Sequence, residues 1–142
     1  MEDYNELIQQ RFKKLAEISA MGKRPYAGRY DVSTSAKALL DANVNTSKET
    51  LEQTRVEVTL AGRIVALRSF GKAGFGHIQD GSGKIQVYFQ KNTLGEEQYA
   101  FFKKLDIGDF VGIKGFLFRT KTNEFTVEVH QLTFLSKALR PL

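Results

Sequence analysis

Ile85, Val87 and Phe89 alternate with Gln86, Tyr88 and Gln90, and a repeat of two is the spacing of a β-strand with one face on a core and the other turned away. The aliphatic set therefore faces inward, and Gln86 and Tyr88 face outward. The preceding segment, Gly74-Phe75-Gly76-His77-Ile78-Gln79, follows the same rule with Ile78 inward, which puts Phe75, His77 and Gln79 on the outer side. Between the two lies Asp80-Gly81-Ser82-Gly83, whose Asp-Gly pair is a hairpin signal. The expectation is a two-stranded hairpin with aromatic and polar groups on the face away from the core. Glycines at 71, 74 and 76 are expected to clear side chains from around Phe75, so that a flat ligand reaches both ring and backbone. The competing expectation is a bulge that slips the parity and turns Phe75 into the core, where most phenylalanines lie.

The hairpin sits within a longer β pattern that begins at Arg55. A long strand is expected over about 56–68 with Gly62 as a bend; after the hairpin come a helical stretch near 96–105 and strands near 110–119 and 125–135. Three strands, a helix and two strands are the order of the five-stranded Greek-key barrel called the OB-fold, in which strands two and three and nearby loops form the usual binding face. The expected fold class is therefore mainly β with helices (α+β), with the helix between strands three and four. An SH3-like barrel is the structural rival, but it does not ordinarily place a helix there. Upstream, Tyr4, Leu7, Ile8, Phe12, Leu15 and Ile18 recur at three- and four-residue spacing, which predicts an amphipathic docking helix over about 3–20. Residues 21–54 read as a connector with one short helix around 35–40. The division expected is thus 1–54 for helix and connector and 55–142 for the barrel.

Composition narrows the function. A chain of 142 residues is one ordinary domain with an appendage. With no cysteine it can build neither a disulfide framework nor a thiolate metal site, and His77 and His130 have no ligand cluster around them, so no metal is expected. No run reaches membrane-span length and no apolar signal core follows the N-terminus, so a cytoplasmic protein without membrane contact is expected. The charge is unevenly placed. Residues 1–54 carry 8 Lys+Arg and 8 Asp+Glu, net 0, whereas residues 55–142 carry 13 and 8, net +5. An excess confined to the barrel favours phosphate-rich partners.

Single-stranded nucleic acid is held by stacking bases on aromatic rings and matching phosphates with basic groups, and its bases are told apart by hydrogen bonds to their edges. Phe75 can stack a base, Arg68 and Gln86 can bond its edge, and Arg63, Lys72, Lys84 and Lys121 can meet phosphates. His77 is either a second stacking platform or a half-exposed strand residue. Glu124, in the turn Thr120-Lys121-Thr122-Asn123-Glu124, either accepts from a base N–H or is a solvated carboxylate.

Several blocks together carry a specific resemblance. They are Ala61-Gly62-Arg63-Ile64, Gly71-Lys72-Ala73-Gly74-Phe75 with His77-Ile78-Gln79-Asp80, Lys84-Ile85-Gln86-Val87-Tyr88, Phe102-Lys103-Lys104-Leu105-Asp106-Ile107-Gly108-Asp109, Phe118-Arg119-Thr120-Lys121-Thr122, and the stretch from Leu132 to Leu142. In this order they resemble the N-terminal anticodon-binding domain of bacterial-type lysyl-tRNA synthetases, which are class II aminoacyl-tRNA synthetases. The likeness covers nearly everything from Val56 onward.

The resemblance implies that Phe75 stacks on an anticodon uridine, that Arg68 and Gln86 read uridine edges, and that Glu124 contacts the neighbouring base. It implies tRNA-Lys as partner. It also implies a full-length parent, a homodimer, that attaches lysine using ATP and magnesium through a catalytic domain whose motifs this chain lacks; the chain itself is expected to hold no catalytic residue and no cofactor. Two positions depart from the pattern. Gly74 stands where the family often has Ser, with one hydrogen bond near the anticodon expected to be lost, and Asn123 stands where it often has Gly, in a left-handed turn position that Asn tolerates. Three other readings share parts of the pattern: the equivalent domain of an aspartyl- or asparaginyl-type synthetase, a nonspecific single-strand-binding OB protein, and a protein-interaction module docked through its first helix.

Overall fold

A computed structural model describes residues 8–10, 12–14 and 30–136 of the chain. Its strands are β1 (Glu57–Phe70), β2 (Ala73–Gln79), β3 (Lys84–Gln90), β4 (Phe110–Arg119) and β5 (Phe125–Ser136). They form a closed barrel in the order β1-β2-β3-β5-β4, with β4 bonded back to β1. The β3–β5 pair is parallel and the other pairs are antiparallel. This is the five-stranded OB arrangement, mainly β with short helices, that the order of elements predicts.

β1 closes the barrel because it serves two neighbours. Residues from Glu57 to Arg63 pair with β4, and residues from Arg63 to Phe70 pair with β2. Gly62 sits where one partner gives way to the other, and a Cβ there would lie 2.8 Å from the Gln79 carbonyl oxygen, so only glycine lets the strands come this close. Just beyond, Ile64 opposes Ile78 but Ala66 opposes His77, which leaves Val65 as an extra, unpaired residue. A bulge of this kind bends a strand and reverses its inside–outside alternation. The bulge lies in β1, not in β2, so Phe75 keeps the outward position that its parity predicts.

The core follows the period of two. Ile78, Ile85, Val87 and Phe89 are buried on the inner face of the hairpin, alternating with less buried neighbours. The barrel end is plugged by α3 (Lys91–Leu94) and α4 (Glu96–Phe102), which lie between β3 and β4 where a helix over 96–105 is predicted. Phe101 and Phe102 are fully buried; the Phe102 ring stacks on Phe89 with centroids 4.3 Å apart, and Phe101 meets Phe134 edge-on at 5.9 Å.

Two short helices lie between residue 30 and the first strand. α1 (Ala36–Ala42) agrees with the short helix expected in the connector, whereas α2 (Lys48–Thr54) was hidden in it. Each starts at a serine, Ser35 or Ser47, whose side chain accepts from a backbone N–H three residues on, the usual N-cap geometry. The hairpin turn holds α1 as well: Asp80 Oδ2 accepts from Ala36 N at 2.9 Å and Ser82 Oγ accepts from Lys37 N at 3.1 Å. Ala36 and Leu39 of α1 and Leu51 of α2 belong to the same hydrophobic cluster as the barrel.

Residues 8–10 and 12–14 are helical, inside the 3–20 span read as amphipathic, and Lys14 Nζ reaches Asp106 Oδ1 at 2.7 Å. The rest of that span, the connector up to residue 29 and the final block 137–142 lie outside the described residues.

Candidate nucleic-acid interface

The outer faces of β1, β2 and β3 meet in two cross-strand rows. Arg68, Phe75 and Tyr88 form one; Ala66, His77, Gln86, Thr126 and Phe118 form the other, carried across to β5 and β4. Residues in register share a face, so the rows bring together side chains far apart in sequence. Arg68 joins its row only because of the Val65 bulge. Counted by twos from the buried Ile64 it would point inward, yet Leu67 packs against the core and Arg68 is exposed.

Four rings run along this face. Phe70 and Phe75 have centroids 6.1 Å apart at 30°, Phe75 and Tyr88 4.7 Å apart at 36°, and Tyr88 and Phe118 5.9 Å apart at 57°. Phe70 is 52% exposed although it is a large apolar side chain. Such an exposed aromatic surface beside basic groups is suited to stacking. The four rings line one groove of about 550 Å³, and Arg68, Gln86 and Glu124 line it with them, together with Lys121 in the β4–β5 turn. A second hollow of about 330 Å³ shares Arg68, Phe75 and Gln86 and adds His77. The four principal residues picked from sequence are thus at one place, with His77 and Lys121 beside them.

The remaining three candidates stand apart. The Arg63 guanidinium lies over the Phe110 ring, 4.7 Å from its centroid, in a separate hollow beside Gln79 and Asp80. Lys84 opposes Gln79 at the far end of the hairpin, and Lys72 is in the β1–β2 turn, where its carbonyl accepts from Lys91 N at 2.9 Å. None of the three lines either hollow of the interface.

The glycines act differently from the expectation. Gly74 and Gly76 are on the inner face: a Cβ at 74 would lie 2.7 Å from Phe102 Cζ and 3.0 Å from the Arg68 carbonyl oxygen, and one at 76 would lie 2.8 Å from the Ala66 carbonyl oxygen. They make room for the core and the β1 backbone, not for a ligand over Phe75. A Ser at 74 would point toward Phe102, so Gly74 removes no hydrogen bond from the outer face. Of the three, it is Gly71 that has open space around it, at φ +60 in the turn, and its carbonyl accepts from Tyr99 Oη at 3.2 Å.

The β4–β5 turn places Glu124. Asn123 has φ 67, the left-handed conformation expected at that position. Thr120 ties the turn by accepting from Asn123 N at 2.8 Å and donating from its own N to the Glu124 carbonyl at 3.0 Å. The carboxylate is on the exposed side of the groove. His77 has its pKa lowered, first by burial and then by the Lys84 charge, while Glu124 acts in the opposite sense. At neutral pH it is an uncharged ring.

Sequence reasoning gave no role to Phe70, Phe118 or Thr126. Parity would have found Phe118, which follows the buried Leu117. No pattern marks Thr126, which is fully buried at 0% exposure.

Residues 58–135 match the family described as the OB-fold nucleic acid binding domain. The whole chain is similar to curated proteins named lysine–tRNA ligase: that of Oceanobacillus iheyensis at 45% identity over 99% of this chain and 29% of the relative, that of Pelotomaculum thermopropionicum at 45% over 99% and 26%, and that of Carboxydothermus hydrogenoformans at 44% over 99% and 28%. The chain therefore spans less than a third of the length of these relatives. Barrel order, helix position and outward aromatic hairpin agree with that match, and the chain belongs to the family of OB-fold nucleic-acid-binding domains.

Proposed function

We propose that this chain is the anticodon-reading part of a lysine–tRNA ligase and that its groove holds the U-rich anticodon of tRNA-Lys. The observation that carries the reading is the convergence of Arg68, Phe75, Gln86 and Glu124 on one groove from β1, β2, β3 and the turn before β5. Phe75 stacks a base, and Arg68 donates to a base oxygen. Gln86 accepts from a base N–H, and Glu124 accepts from the neighbouring base. Lys121 meets the backbone. The full-length parent attaches lysine to tRNA-Lys with ATP and magnesium in a portion other than this one, acts in the cytoplasm and pairs as a homodimer. The similarity to lysine–tRNA ligases over 99% of the chain supports this part of the reading.

The test is binding to an anticodon stem-loop bearing UUU at two salt concentrations, beside a loop with its middle base changed and a Phe75→Ala chain. Loss with both changes establishes anticodon reading. Equal binding throughout, falling only with salt, would leave a nonspecific single-strand binder.

A further inference from the structure

Gln86 can read a base only if its amide is held one way round, because the two ends have opposite hydrogen-bond character and nearly the same shape. The structure supplies the means. Thr126 Oγ1 lies 3.0 Å from the Glu124 carbonyl oxygen and 3.1 Å from Gln86 Nε2. A backbone carbonyl only accepts, so the single hydroxyl proton of Thr126 goes to Glu124. What Thr126 then offers Gln86 is a lone pair, which accepts from an N–H and repels a carbonyl oxygen. Thr126 has no solvent exposure, so water cannot rescue the opposite arrangement. The Gln86 amide nitrogen is fixed toward β5, and its carbonyl oxygen is the end left for a ligand in the two hollows that Gln86 lines.

We infer that Thr126 is a positioning residue that sets base preference by fixing the Gln86 amide as an acceptor toward the groove, an inference that rests on the anticodon reading above. Arg68 can only donate. A donor at Arg68 beside an acceptor at Gln86 matches the oxygen and adjacent imino N–H of uracil. Cytosine presents an amino group and a bare nitrogen at those places, and it mismatches at both. An amide free to turn over would remove the mismatch at the cytosine ring nitrogen and leave discrimination to Arg68 alone.

Thr126→Val keeps the shape and removes the hydroxyl. The expected result is that the preference for a UUU stem-loop over loops with single U-to-C changes falls by roughly tenfold, the order of one lost hydrogen bond. Thr126→Ser restores it, and in a Gln86→Ala background Thr126→Val changes nothing further. Thermal melting of each variant reports the fold separately. A second measurement needs no variant: in the free chain, one Gln86 side-chain amide proton should show the shift and slowed exchange of a hydrogen-bonded proton. An unchanged preference in folded Thr126→Val, or two equivalent, freely exchanging Gln86 amide protons, would overturn the inference alone. No preference for U over C in the unaltered chain would overturn both it and the anticodon reading.

Discussion

Phe75 and Tyr88 stand directly opposite each other on β2 and β3, with ring centroids 4.7 Å apart and planes 36° apart. Both are half-buried. Each ring supports the other along one part of its surface and keeps another part at the groove. Phe75→Ala is therefore expected to weaken binding of the UUU stem-loop by about 1–3 kcal/mol, the range for one lost base–aromatic stack. Phe89→Ala, at the buried neighbouring position on β3, is expected to cost about 3–5 kcal/mol of folding stability instead. Fluorescence anisotropy and thermal melting separate the two effects. A Phe75→Ala chain that melts like Phe89→Ala and binds normally would contradict the assignment.

Lys121 lies at the mouth of the groove in an exposed turn. In the proposed reading its partner is the RNA backbone, so its loss should not depend on sequence. Lys121→Ala is expected to reduce the slope of log Kd against log salt by about 0.7, the value for one phosphate contact on a single strand. The ratio of affinities for matched and changed loops should stay the same. A titration series in potassium chloride with both loops checks this.

Acid should destabilise the fold in two separate windows. His77 has a lowered pKa in the folded chain, through burial first and Lys84 second, so the unfolded chain binds more protons below the ordinary value of 6.5, and stability falls as pH drops from there through the lowered folded value. For Asp80, burial alone would raise the pKa, but hydrogen bonds from the Ser82 side chain and from the backbone of Ala36, Ser82 and Gly83 together bring it below 3.8. Its contribution is complete above 3.8 and is lost as pH falls through the folded value. Urea midpoints measured across pH should show the upper step disappear in His77→Gln and the lower one shrink in Asp80→Asn.

Tyr99, on α4, donates from its hydroxyl to the Gly71 carbonyl at 3.2 Å and so ties the helix to the turn that leads into Phe75. Burial, and after it the neighbouring Tyr88, raises its pKa, which keeps the hydroxyl a neutral donor. Tyr99→Phe is expected to cost about 0.5–1.5 kcal/mol and to speed amide exchange around residues 71–73 more than elsewhere. Uniform acceleration across the barrel would point to a general packing loss.

The hairpin was legible because β2 and β3 are regular: counting by twos from Ile78 and Ile85 reproduces their two faces. Arg68 was not legible that way, since Val65 looks like any strand residue and only the register with β2 reveals it as an insertion. The glycines misled for a related reason. Gly74 and Gly76 carry no face label of their own, and what they accommodate, Phe102 and the Ala66 carbonyl, is distant in sequence or part of another strand. α2 was concealed by its composition: it is no shorter than α1, but Leu51 is its single buried residue, whereas α1 buries Ala36 and Leu39 three apart, so no helical period marks it. Thr126 was missed because its role depends on two hydrogen bonds, one of them to a residue forty positions away.

The Val65 bulge ties two properties that are ordinarily independent. The extra residue gives β1 the twist that helps it leave β4 for β2, and the same residue decides whether Arg68 or Leu67 is presented outside. A chain paired without the bulge would show Leu67 outside and would have to bury the Arg68 charge, which is costly. Such a misregistered chain would be silent toward a ligand instead of indiscriminate, so correct assembly acts as a licence for recognition.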